Sequence, residues 1–167
     1  TFVNGLFCKY SINPCSDDTC VKKSFCSVVN VLTKSLERIS GSAFNSILLY
    51  LIALEQIGAI FFEKKCDKGY RESGIQTALR NMADWLTIEE ANAISNLRNS
   101  LAHSYGLVNL YKGKNSSKFE IDITTQTTCI VKLPDEEWDG DYNKNGNNTV
   151  VYYEPLCNLV ENILRGV

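Results

Sequence analysis

The chain has a single histidine, His103, among its 167 residues. That argues against a metal centre built on imidazoles, because such centres combine several His or carboxylate ligands. Positive charge is scarce as well: 17 Lys and Arg stand against 19 Asp and Glu, a formal charge of −2. No global field draws the chain onto nucleic acid, so any such contact has to be built locally, from a few Lys and Arg around a cleft. No Gly-x-Ser-x-Gly elbow supports a Ser–His–Asp hydrolase, and no glycine-rich loop is arranged to cradle phosphate. The apolar stretch Ile47 to Phe62 is interrupted by Glu55 and Gln56. It falls short of the ~20 residues of a membrane span and is expected to be a buried helix, so no membrane partner is expected. Thr1 to Leu6 carries neither a basic region nor a long apolar one, and no signal peptide is expected.

Seven cysteines are present, at positions 8, 15, 20, 26, 66, 129 and 157. An odd number does not complete a disulfide framework. The first four are separated by six, four and five residues, and no Cys-x-x-Cys pair occurs. Small buried thiols are expected rather than metal ligands, and no metal or cofactor is expected. A reducing cytoplasm is the compartment this usage suits. Asn115-Ser-Ser and Asn147-Asn-Thr fit the glycosylation triplet, a pattern common by chance.

The length suits one domain, residues 1–167. Residues 1–23 read as an irregular cysteine-containing segment. Val28, Val31, Leu32, Leu36 and Ile39 then form a helical stripe over Ser24–Ile39. Ser42 to Lys64 reads as a long central helix, apolar around most of its circumference. Cys66 to Ser73 reads as a charged turn, and Ser73 to Trp85 as another helix with Ile75, Leu79, Met82 and Ala83 on its apolar face. Thr87 and Glu90 form a capping box for the next helix, expected to run to about Tyr105 and to stop at Gly106.

Beyond Gly106 the pattern changes to short β-branched alternating runs. Leu107–Tyr111, Lys118–Thr124, Thr128–Leu133 and Thr149–Tyr153 read as strands, with Gly113, Asn115 and the 143–148 run as turns. Pro155 opens a closing helix, Leu156 to Leu164. The expected fold is mainly α: a helical bundle with a small antiparallel β insertion, residues 107–153, before the C-terminal helix.

The neighbourhood of His103 carries the chemistry. Arg98 precedes it by five positions and Asn99 by four. On a helix Asn99 and His103 share a face. Arg98 lies about 140° around the axis and about 7.5 Å along it, within reach of a long side chain that curls back. A guanidinium binds phosphoryl oxygens through its fork, and imidazole moves protons near neutrality. A lone Arg and His near a helix end are also common as simple surface or cap residues.

The segment Arg98-Asn99-Ser100-Leu101-Ala102-His103 resembles the motif of the HEPN superfamily. That motif is an Arg, a polar residue next, and a His after four to six intervening positions; here four intervene and Asn99 fills the polar slot. The resemblance covers roughly residues 24–106 and the final helix, and leaves out the cysteine-rich start and the β insertion. It implies a HEPN-like helical bundle and metal-independent endoribonuclease activity, with Arg98 and His103 catalytic and Asn99 orienting. Such proteins serve toxin–antitoxin, abortive-infection and antiviral systems. Other members are inactive RNA-binding or protein-interaction modules, and that alternative stays open.

Cleavage of RNA through its 2′-hydroxyl needs a base, an acid and charge stabilisation at phosphorus. One imidazole does not readily stand on both sides of the scissile phosphate. A two-fold homodimer brings two His103 and two Arg98 to one cleft, in keeping with the dimers of the family. The resemblance also implies a nucleotidyltransferase antitoxin as partner in toxin-like members. Its target would be Tyr105, since Arg98…His103-Ser104-Tyr105 fits an Arg-x-x-x-x-His-x-Tyr arrangement; a packed aromatic at the helix end explains Tyr105 as well. Lower-ranked candidates are the carboxylates of Asp135–Asp141, which lack the spacing of a calcium loop, and Tyr142, Tyr152 and Tyr153 as base-stacking groups. Lys64, Arg71 and Arg80 are candidates to line an RNA path.

Overall fold

A computed structural model of the chain describes residues 43–67, 70–109, 117–136, 138–141 and 147–166. All of them belong to one compact unit, Gly41–Val167. The segment 1–23 with its four cysteines, the helix expected over Ser24–Ile39, the Asn115 triplet and Tyr142 lie outside the described residues.

Helix α1, Ala43–Phe61, is the core helix. By length and composition it is apolar enough to cross a bilayer. Part of its apolar surface meets protein: Ile47, Leu51, Leu54 and Ile57 are essentially inaccessible to solvent, while Leu49 is exposed. It touches all three other described helices. Glu55, which breaks the apolar run in sequence, turns to the start of helix α2, Gly74–Met82. Its two carboxylate oxygens accept from the Gly74 and Ile75 N–H groups at 3.0 and 3.3 Å. Those amides belong to the first turn, which has no intrahelical partners for them. A carboxylate also suits the positive end of the helix dipole.

Two glycines let α1 and α2 come this close. A methyl group added at Gly58 would sit 1.7 Å from the Gly74 carbonyl oxygen, and one at Gly74 would sit 2.2 Å from the Glu55 carbonyl oxygen. Ser73 and Gln76 complete a capping box at the same helix end.

Between α1 and α2 the expected charged turn is a short antiparallel hairpin, β1 Cys66–Asp67 and β2 Tyr70–Arg71. Glu72 ties it down. Its carboxylate accepts from the Lys65 N–H at 3.1 Å and from Arg80 Nε at 2.9 Å and Nη2 at 3.0 Å. Burial by itself raises the Glu72 pKa, but these donors outweigh it and hold the carboxyl below its ordinary value.

Helix α3 is Ile88–Ser104. It is followed by β3 Val108–Asn109, β4 Ser117–Asp122, β5 Val131–Lys132, β6 Asn148–Tyr152 and helix α4 Tyr153–Gly166. The sheet is not antiparallel throughout, as the strand pattern alone suggested. Its order is β3-β4-β6-β5, and β4 pairs with β6 in parallel, Phe119 opposite Thr149 and Ile121 opposite Val151. Parallel neighbours need a crossover connection, and the chain between 122 and 148, β5 included, supplies it. Phe119, Thr149 and Val151 are buried on the pleat face that meets the helices. Helix α4 follows β6 with no loop, so Pro155 sits in its first turn, where a missing N–H removes no helical bond. The observed class is thus mainly helical with a small mixed sheet.

Candidate functional site

Helix α3 sets the geometry. Thr87 caps it as the sequence predicts: its side chain accepts from the Glu90 N–H at 3.1 Å, and Glu90 accepts in return from the Thr87 N–H at 2.8 Å. Ile94, Leu97 and Leu101 are fully buried and fix the helix rotation. That rotation leaves Arg98 and Asn99 half-buried and His103 exposed.

Arg98 Nη1 donates to Asn99 Oδ1 at 3.0 Å, which ties the guanidinium to its neighbour in the motif. Arg98 Nε is buried without a hydrogen-bond partner. No carboxylate among the described residues pairs with this guanidinium, so its charge is not neutralised locally. An uncompensated buried N–H costs about 1–3 kcal/mol. His103 makes no hydrogen bond or ion pair among the described residues and faces solvent. A guanidinium tied to Asn99 and an exposed imidazole with no partner among the described residues therefore stand on the last two turns of one helix.

The helix end differs from the sequence expectation by one residue. The left-handed position is Tyr105, with φ 46° and ψ 35°, rather than Gly106. The Tyr105 N–H returns to the Ser100 carbonyl, and the Gly106 N–H approaches the same oxygen at 3.5 Å. A residue with a Cβ adopts this conformation at a cost of about 1–2 kcal/mol. The Tyr105 ring gains no packing in return, since it is 79% exposed. It stands beside His103 as an accessible phenol, not as a packed aromatic.

Other candidates fall into structural roles. Arg80 is held by Glu72 and by the Glu63 carbonyl. Lys64 is half-buried and Arg71 exposed. The acidic run forms a turn around buried Trp138, whose indole N–H donates to the Asp141 carbonyl at 2.9 Å. Tyr152 and Tyr153 are half-buried at the junction of β6 and α4. Cys157 is a buried thiol whose pKa burial pushes up to about 12, so it is no nucleophile. Cys66 and Cys129, expected to be buried, are exposed. Among the described residues no three His, Cys, Asp or Glu side chains gather as a metal site.

One feature of the molecule escaped the sequence reading: a groove along α4, with Trp85 at one end and Asn158 and Asn162 on its wall. The four-residue spacing of Glu154, Asn158 and Asn162 was its only sequence signal. Comparison with protein-family models, with curated proteins and with solved structures finds no match to this chain.

Proposed function

We propose that the chain is a metal-independent endoribonuclease of the HEPN type, working in the cytoplasm as a two-fold homodimer. What supports this is that helix α3 carries Arg98, hydrogen-bonded to Asn99 at 3.0 Å, and an exposed His103 five residues on.

One His103 takes the proton of a ribose 2′-hydroxyl, and the 2′-oxygen attacks phosphorus. The bond to the 5′-oxygen breaks, and the His103 of the second protomer protonates that leaving oxygen. The two Arg98 groups hold the phosphoryl oxygens as charge builds on them. The products are a 2′,3′-cyclic phosphate and a 5′-hydroxyl. Asn99 holds the guanidinium and leaves its remaining donors for substrate.

Incubation of RNA with wild type and with His103→Ala in EDTA tests this. Wild type is expected to cleave to cyclic-phosphate ends, and the variant to lose at least about 100-fold in rate, the scale of general acid–base catalysis. Equal cleavage by both proteins sinks the proposal.

A toxin role fits the same site. Tyr105 would then be the residue that a partner nucleotidyltransferase antitoxin modifies, and its 79% exposure supports this. Mass spectrometry after co-expression with a neighbouring nucleotidyltransferase should find a nucleotidyl adduct on Tyr105; an adduct elsewhere, or none, contradicts the assignment. The net charge of −2 favours a second reading, in which the same dimer is an inactive RNA-binding or protein-interaction module.

A further inference from the structure

A groove of about 630 Å³ lies between the end of α2, the chain that leads into β5, and α4. Its size falls in the usual range for small-molecule sites, about 300–1,000 Å³. It is a different place from the Arg98–His103 end. Trp85, at one end of the groove, precedes the start of α3, whereas His103 lies in the last turn of that 17-residue helix. At 1.5 Å per residue the helix separates them by roughly 25 Å.

Helix α4 builds one wall from two stripes of four-residue spacing. Glu154, Asn158 and Asn162 form the polar stripe on the rim. Leu159 and Ile163, one position on, join Ile130 as a buried apolar floor. The opposite wall is Gln126, Thr127 and Thr128. That wall is held in shape. The Asp122 carboxylate accepts from the Thr124 and Thr125 N–H groups at 2.8 and 3.0 Å, and Thr127 Oγ1 accepts from the Cys129 N–H at 3.1 Å. The Trp85 indole is 63% exposed, an unusual state for so large an apolar ring.

This lining selects a ligand class. No Lys or Arg borders the groove, and Glu154 adds a negative charge at its rim. Phosphate and other anions are therefore disfavoured. Three carboxamides and two hydroxyls offer neutral donors and acceptors on both walls. They match the edge of a ring that itself mixes donors and acceptors, and the carboxylate accepts from an exocyclic amino group. An exposed indole and buried apolar residues in one lining favour a flat face. We propose that the groove binds a neutral, amino-bearing planar heterocycle, namely a nucleobase, presented by a free nucleoside or by single-stranded RNA. Stacking on an aromatic side chain tolerates any base, and the amide rows select its edge. The site does not depend on catalysis at His103.

The test follows tryptophan fluorescence of the full chain. Trp85→Phe assigns the signal against buried Trp138. The probes are adenosine, adenosine 5′-monophosphate and a 2′-O-methylated adenine oligonucleotide, which cannot be cleaved through its 2′-oxygen. Saturable quenching by adenosine, with the monophosphate binding no tighter, is expected if the source is a free nucleoside. Saturation by the oligonucleotide alone supports a base within a strand. In either case Asn158→Ala combined with Asn162→Ala should weaken binding at least tenfold. Alanine is the better helix former at both exposed positions, so lost binding would not reflect a lost helix. The proposal is overturned if no probe saturates, if the double variant binds normally, or if the monophosphate binds more tightly than adenosine.

Discussion

At the scale of residues, the molecule separates charges that hold the fold from charges left free. Glu72 and Arg80 belong to the first kind. The Glu72 side chain is 10% exposed and that of Arg80 32%, and the carboxylate also fastens the Lys65 backbone. Its pKa is lowered on folding, so its contribution is present above the unfolded carboxyl value, near 4.3, and is lost as pH falls through the folded value. Glu72→Gln should therefore cost about 2 kcal/mol at pH 7, at the low end for a buried pair because Arg80 is partly screened. The gap between variant and wild type should narrow as pH falls below about 4.3 and vanish below the lowered folded value. Urea midpoints at pH 7 and pH 3 check this, and a gap as wide at pH 3 as at pH 7 would contradict it. Arg98 and His103 belong to the second kind. Asn99 holds one nitrogen of the guanidinium, and nothing among the described residues neutralises it. Tyr105 adds a left-handed backbone at the same place. Unpartnered donors and backbone strain gather at functional ends of folds more than elsewhere.

At the scale of elements, the contact of α1 with α2 is the most demanding. Glu55 caps one helix from the other, and Gly58 and Gly74 remove the side chains that would keep them apart. Gly58→Ala places a methyl group on backbone, not on a flexible side chain. It should destabilise the protein by about 3 kcal/mol, the upper part of the overpacking range, despite the gain in helix propensity of about 1 kcal/mol. Thermal unfolding of the variant measures this, and an unchanged or higher midpoint would contradict the observed crossing. The same elements show what a sequence reveals and what it conceals. Thr87-x-x-Glu90 was legible because a cap is complete within four residues. The stripes of α2 and α4 were legible because each names one buried face. The parallel pairing of β4 with β6 was not, since alternation marks a strand but does not name its neighbour. The hairpin at Cys66–Arg71 was hidden because two-residue strands carry no period. Gly106 misled by one position, because Ser100 receives both terminal amides whichever residue turns left-handed. The groove wall was missed because Trp85, Thr127 and Asn158 are far apart in sequence and only the fold brings them together.

At the scale of the whole molecule, the described residues form a mainly helical unit with a mixed sheet, and its two candidate sites share no residue. Only the Arg98–His103 end has an imidazole, and the chain has only one. The proposed reaction needs an acid and a base at the same moment, so it needs two chains. The most direct measurement is RNA cleavage in EDTA by wild type mixed with a growing share of His103→Ala after subunits have exchanged. If each site takes one imidazole from each protomer, mixed dimers are inactive. Activity at a fixed amount of wild type should then fall to about half at equal proportions of the two chains. Activity that stays constant as the variant is added, or RNA that stays intact with wild type alone, would contradict the account.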